Sequence, residues 1–124
     1  MIQKYRAIHW TDHSRIKMRQ YGLSKTKLLG LISRPERKET GIAPGTTAVM
    51  ATNKRFGFFN AAKKVSVQKA KGPAGEIWLM YRDTENQRNI ISAWRYPGIS
   101  KPGESIPVPD DIRQELLRAG QLTS

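Results

Sequence analysis

Apolar and polar positions along this chain repeat with two periods, and each change of period marks a new element. Leu28, Leu29, Leu31 and Ile32 recur at i, i+3, i+4 spacing and predict a helix over residues 24–32. It stops before Pro35, because the residue ahead of a proline resists helical geometry. The same spacing in Ile112, Leu116 and Leu117 predicts a helix over residues 110–119. Asp110 and Asp111 in its first turn complement the helix dipole, and Gly120 ends it. A third helix, more polar, is predicted immediately before the first of these. Thr11 or Asp12 caps it, it runs to Tyr21, Gly22 supplies the left-handed turn, and Ser24 caps the next helix.

Strand periodicity fills much of the rest. Residues 4–10 place Tyr5, Ala7 and His9 opposite Arg6, Ile8 and Trp10. Residues 46–52 are β-prone, and residues 64–70 alternate with Val65 and Val67 on one face. Residues 76–82, EIWLMYR, form the most apolar run and predict the central strand. Residues 88–96 follow after a turn, so 76–96 reads as a hairpin. On strict alternation Trp78, Met80 and Arg82 share one face of the first strand, and Arg88, Ile90, Ser92, Trp94 and Tyr96 share one face of the second, with Ile91, Ala93 and Arg95 opposite; Arg82 and Arg95 could lie on one face, since the register is open. Residues 34–45 read as a polar loop, and Phe56, Phe58 and Phe59 as a strand edge or an inserted loop. Residues 97–109 hold four of the seven prolines and read as a linker or a wrapped extended segment. The sum is an α+β fold: two N-terminal helices on a three- to four-stranded antiparallel sheet, with a C-terminal helix. It divides into a domain over residues 1–97 and a tethered helix over 98–124.

Composition adds the charge. The chain has 124 residues and a net charge of +12, with 22 Lys and Arg against 10 Asp and Glu. From Glu104 onward there are two Arg and four acids, so 20 bases face 6 acids in what precedes. A basic body of this kind attracts polyanions by counterion release, which makes RNA or another nucleic acid the expected partner. The alternative is ordinary solubility charge. The acidic end could fold back over the basic body as an internal shield. There is no cysteine, hence no disulfide and no thiolate metal site. The lack of an apolar run of about 18 residues, and of a signal-peptide core in MIQKYRAIHW, leads to the expectation of a soluble cytoplasmic protein without membrane contact.

Candidate chemistry concentrates on the first helix. His13, Lys17 and Tyr21 fall on one ridge, spaced i, i+4, i+8, while Arg15 and Arg19 fall on another. The run HSRIKMRQYGLS at 13–24 resembles the opening helix, roughly His-Ala-x-x-Arg-Met-x-Glu-Arg-Gly-Ile-Ser, of a small domain family of unknown function. That family is similar to the BrnT toxins and, more remotely, to RelE-type toxins. NIISAWRYPG at 89–98 resembles the final-strand run of BrnT-like proteins, and the likeness covers about residues 7–96. Lys17 stands where the pattern has Arg, Gln20 where it has Glu, and Tyr21 where it has a second Arg.

The resemblance implies a RelE/BrnT-like fold and a metal-independent endoribonuclease toxin, encoded beside a small acidic antitoxin that neutralises it. Such cleavage needs a base, an acid and cations for the developing phosphorane charge. His13 is the titratable candidate, and Lys17, Arg82 and Arg95 are the phosphate-holding candidates. Arg15, Arg19, Tyr21, Trp94 and Tyr96 are candidates for contact with the nucleic acid, the aromatics by stacking. Each has an ordinary structural reading: a capping His13, a solvated basic helix face, core aromatics, arginines at strand ends. His9, Asp12, Glu76 and Asp83 are weaker alternatives for the base. No cofactor is expected, since no Walker loop or dinucleotide fingerprint occurs, and no metal is expected, since His and carboxylates lack ligand spacing. A non-catalytic nucleic-acid-binding or protein-interaction domain is the competing function.

Overall fold

The computed structural model describes residues 6–53, 59–60, 65–66 and 75–120. The element order is β1 (Ala7–Trp10), α1 (Asp12–Tyr21), α2 (Lys25–Ser33), β2 (Arg37–Thr40), β3 (Thr46–Asn53), β4 (Phe59–Asn60), β5 (Val65–Ser66), β6 (Gly75–Asp83), β7 (Gln87–Tyr96) and α3 (Asp110–Arg118). The predicted α+β arrangement holds, with helices packed on a sheet and a C-terminal helix present. The predicted strand count and direction do not. The main sheet has five strands in the order β1-β7-β6-β3-β2, and it is mixed, because β1 runs parallel to β7. β2 escaped the pattern because it is a short edge strand, Arg-Lys-Glu-Thr, with no apolar face to announce it. β4 and β5 form a separate two-stranded pair. The remainder of the predicted 64–70 strand, like Phe56 and Phe58, lies outside the described residues.

Local chemistry sets the helix ends as the side chains suggest. The Thr11 hydroxyl accepts a hydrogen bond from the Ser14 amide at 3.2 Å, and Ser24 does the same for the Lys27 amide at 3.1 Å. Gly22, with φ 68°, turns the chain between α1 and α2. β6 lies between β7 and β3 and is buried from Gly75 to Tyr81, the burial its apolar run requires.

Two clusters cover the two faces of the sheet. On one, Met18, Leu23, Leu28 and Leu31 of the helical segment pack against Val49, Ile77, Leu79, Tyr81, Ile90 and Ala93. On the other, Ile112 and Leu116 of α3 pack against Ala48, Met50, Trp78, Met80, Ile91 and Trp94. Residues 97–109 wrap rather than dangle. Ile106 and Val108 pack on the second cluster, and the Ser100 amide donates to the buried Glu76 carboxylate at 2.8 Å. Arg37 holds the same stretch, donating to the Ser100 hydroxyl at 2.6 Å and to the Glu104 carbonyl at 3.1 Å.

The β6–β7 hairpin departs from strict alternation. Met80 pairs with Ser92 and Tyr81 with Ile90, which leaves Ile91 unpaired in a bulge. Ile90 and Ala93 therefore share the α1–α2 face, while Ile91 and Trp94 share the α3 face. The face assignment by simple parity is corrected at this point of β7, because one extra residue inverts the parity that follows it.

Candidate functional site

α1 lies along β7, with Met18 in the first cluster and Tyr21 packed against both. Its His13–Lys17–Tyr21 ridge is thereby turned toward α3 instead of toward solvent. Lys17 is 2% exposed. Its ammonium donates to Asp111 Oδ2 at 2.8 Å, to Gln20 Oε1 at 2.8 Å and to Glu115 Oε1 at 2.5 Å, so all three donors are used. The Tyr21 hydroxyl donates to Asp111 Oδ1 at 3.3 Å, and Gln20 Nε2 donates to Asp111 Oδ2 at 3.0 Å. Asp111 and Glu115, one turn apart on α3, thus meet a ridge of matching spacing on α1.

These contacts set the charges. Burial alone would lower the Lys17 ammonium, but its hydrogen bonds with Asp111 and Glu115 outweigh that and raise it. Burial alone would raise Asp111, and hydrogen bonds from Lys17 and Gln20 reverse that, holding it below the ordinary carboxylate range. His13 is held below its ordinary value by burial, with Lys17 adding to the effect and Glu115 and Asp111 opposing it. Its ring is therefore neutral at neutral pH. Nδ1 lies 3.1 Å from Glu115 Oε2, and Nε2 lies 3.1 Å from Ser92 Oγ. A carboxylate only accepts, so the single ring proton belongs on Nδ1, and Nε2 accepts from the Ser92 hydroxyl. The order hydroxyl, imidazole, carboxylate has the sequence of a nucleophilic relay. Ser92 is fully buried, however, so here it holds the ring and does not attack. Beside the ring is a cleft of about 100 Å³ lined by Thr11, His13, Ile91, Glu115, Leu116 and Ala119.

The other candidates are dispersed. Arg82 pairs across the hairpin with Asn89, and Arg95 with Ile77, five residues along β6 and thus roughly 16 Å away at strand rise. Arg82 donates to the Pro44 carbonyl at 2.9 Å. Arg95 donates to the Tyr21 carbonyl at 2.6 Å and the Gly22 carbonyl at 3.2 Å, capping the C-terminal end of α1. Its Nη1 is buried without a partner among the described residues, and burial lowers the pKa of the guanidinium. The four residues expected to act together at a phosphate therefore do not converge; only His13 and Lys17 are neighbours. Trp94 is corrected from stacking residue to core. It is fully buried, stacked on Trp78 at 6.3 Å with the rings 7° apart, and its indole N–H donates to the Pro107 carbonyl at 2.8 Å. Tyr96 packs at the margin of the same cluster. Arg15 and Arg19 are exposed on α1, and their side chains enter no hydrogen bond or ion pair among the described residues.

Sequence reasoning missed Ser92, Gln20, Asp111 and Glu115 as partners of the ridge. Asp111 and Glu115 had a legible signal: acids at i, i+4 on an amphipathic helix, matching bases at i, i+4 on α1. Among the described residues, no three His, Asp or Glu side chains gather as metal ligands would. No described helix is long and apolar enough to cross a membrane. Comparison of the chain with protein-family models, with curated proteins and with solved structures found no match.

Proposed function

We propose that this chain binds nucleic acid, RNA in the first instance, through its basic body. The observation that carries this reading is the excess of exposed bases over exposed acids among the described residues. Asp83 pairs with Arg88 at 2.7 Å and with Arg6, Glu39 with Arg37, and Asp111 and Glu115 with Lys17. Glu76 is buried under Ser100 and Trp78. Exposed bases remain in surplus: Arg15, Arg19, Lys25, Arg34 and Lys38 all reach solvent. Residues 54–74 add six Lys and Arg and no acid. Asp12, Glu36, Glu85, Glu104 and Asp110 are exposed as well, and a surface on which cations still outnumber anions gathers phosphates by counterion release. The test is fluorescence anisotropy with a labelled RNA, comparing wild type with Arg15→Glu/Arg19→Glu. The reading predicts at least about tenfold weaker binding in the variant, given the loss of two cations and the gain of two anions. Equal affinity would exclude the exposed face of α1.

A second reading, the metal-independent endoribonuclease with its acidic antitoxin, is favoured by one observation. His13 is neutral, partly exposed and open to a cleft, which are the properties of a general base near neutral pH. RNA incubated with the protein in EDTA would then be cut, and His13→Ala would abolish cutting. Intact RNA under conditions where binding is saturated leaves the non-catalytic reading alone.

A further inference from the structure

We infer that α3 and its tether are a lid over a second, cryptic surface for single-stranded nucleic acid; this rests on the nucleic-acid reading above. His13, Lys17, Tyr21 and Trp94 are all contacted by residues 106–118. Asp111 and Glu115 neutralise the ridge of α1. Ile106, Val108, Ile112 and Leu116 cover the indoles. Beneath the lid lie the Lys17 ammonium and the neutral His13 ring, and also the stacked pair Trp78 and Trp94, with Tyr21 and Tyr96 packed on the same cluster as the indoles. Cations that track a backbone next to aromatic faces that stack bases are the two components of single-strand binding surfaces. The Asp111 and Glu115 carboxylates occupy the places where phosphates would neutralise Lys17.

The seam between α3 and the body has the chemistry of a displaceable contact. It is joined by Ile112 and Leu116, packed on the second cluster, and by ion pairs, which are weak sources of net stability because each charge also loses water. The Asp111 and Glu115 side chains keep 39% and 29% exposure. The cleft beside His13 opens along this same seam, so the packing there is incomplete. α3 holds the body through side chains and not through extended close backbone approach. Of its own residues only Ile112 and Leu116 are fully buried. The polyanion would compete with the two carboxylates for Lys17 and bind the form in which α3 has left.

The full-length protein tests this with a labelled oligouridylate of about 12 nucleotides, near the site size of single-strand-binding folds. Asp111→Asn/Glu115→Gln removes the contacts to the ridge. Glu104→Gln/Asp110→Asn removes the same two charges from the same segment without touching Lys17 or His13. The lid predicts that the contact variant binds about fivefold to tenfold tighter than the control, with a salt dependence steeper by about one to two phosphate contacts. Equal affinity of the two variants overturns the lid while the nucleic-acid reading stands; no binding by wild type or either variant overturns both. Hydrogen exchange on wild type gives a readout that needs no variant. Saturating oligouridylate should strip protection from the amides of α3 while those of β6 keep theirs. Unchanged or increased protection in α3 contradicts the lid.

Discussion

Lys17 shows how one position can read as function in a sequence and as structure in a fold. Its spacing from His13 and Tyr21 was legible, and the ridge exists. What faces the ridge is set by a helix more than 90 residues later, which local pattern does not reveal. Lys17→Ala would leave Asp111 and Glu115 without their shared cation. We expect a loss of about 1–3 kcal/mol, below the range for a fully buried pair because both carboxylates are partly wet. Urea denaturation measures it; a loss below about 0.3 kcal/mol would place Lys17 among solvated surface charges. Trp94 makes the same point for apolar residues. An indole on a strand is core or platform according to what covers it, and its cover comes from Pro107 and α3.

At the scale of elements, caps and apolar runs were readable because they depend on neighbouring residues alone. Thr11→Ala removes both the cap bond to the Ser14 amide and the hydroxyl's 2.6 Å bond to the Ile90 carbonyl. It should destabilise by about 1–2 kcal/mol in thermal or chemical melts. β2, the parallel pairing of β1 and the Ile91 bulge were not readable, because each is decided by its partner strand and not by its own side-chain pattern. Gly75 has φ 129°, and a Cβ there would sit 2.3 Å from the Tyr96 carbonyl oxygen. Gly75→Ala should therefore shift the start of β6 and lower stability by more than an exposed Gly→Ala would change it.

The docking of α3 also carries a pH dependence. His13 has a lowered folded pKa, so its contribution is complete above the unfolded value of 6.5 and is lost as pH falls through the folded value. Asp111 acts in the same sense lower down, its contribution present above 3.8 and lost below. Lys17, raised, contributes below 10.5 and loses that contribution as pH rises through its folded value. Melting temperature should thus fall as pH drops from 7 to 5. A rise over that interval would contradict the neutral His13 that the Glu115 and Ser92 contacts imply.

For the whole molecule, the two-helix layer, the central hairpin and the basic-acidic asymmetry along the chain were all legible, since period and composition survive without coordinates. The convergence of catalytic candidates was not, because hairpin register sends Arg82 and Arg95 to different ends of β6 and β7. At this scale the proposed function rests on the field of 20 bases against 6 acids before Glu104. The most direct measurement is the affinity of the full-length protein for a short RNA at several salt concentrations between about 50 and 200 mM. The account predicts a straight fall of log affinity against log salt, with a slope of at least about −3, as for several phosphates neutralised together. Absence of binding at about 50 mM salt, or binding indifferent to salt, would contradict it.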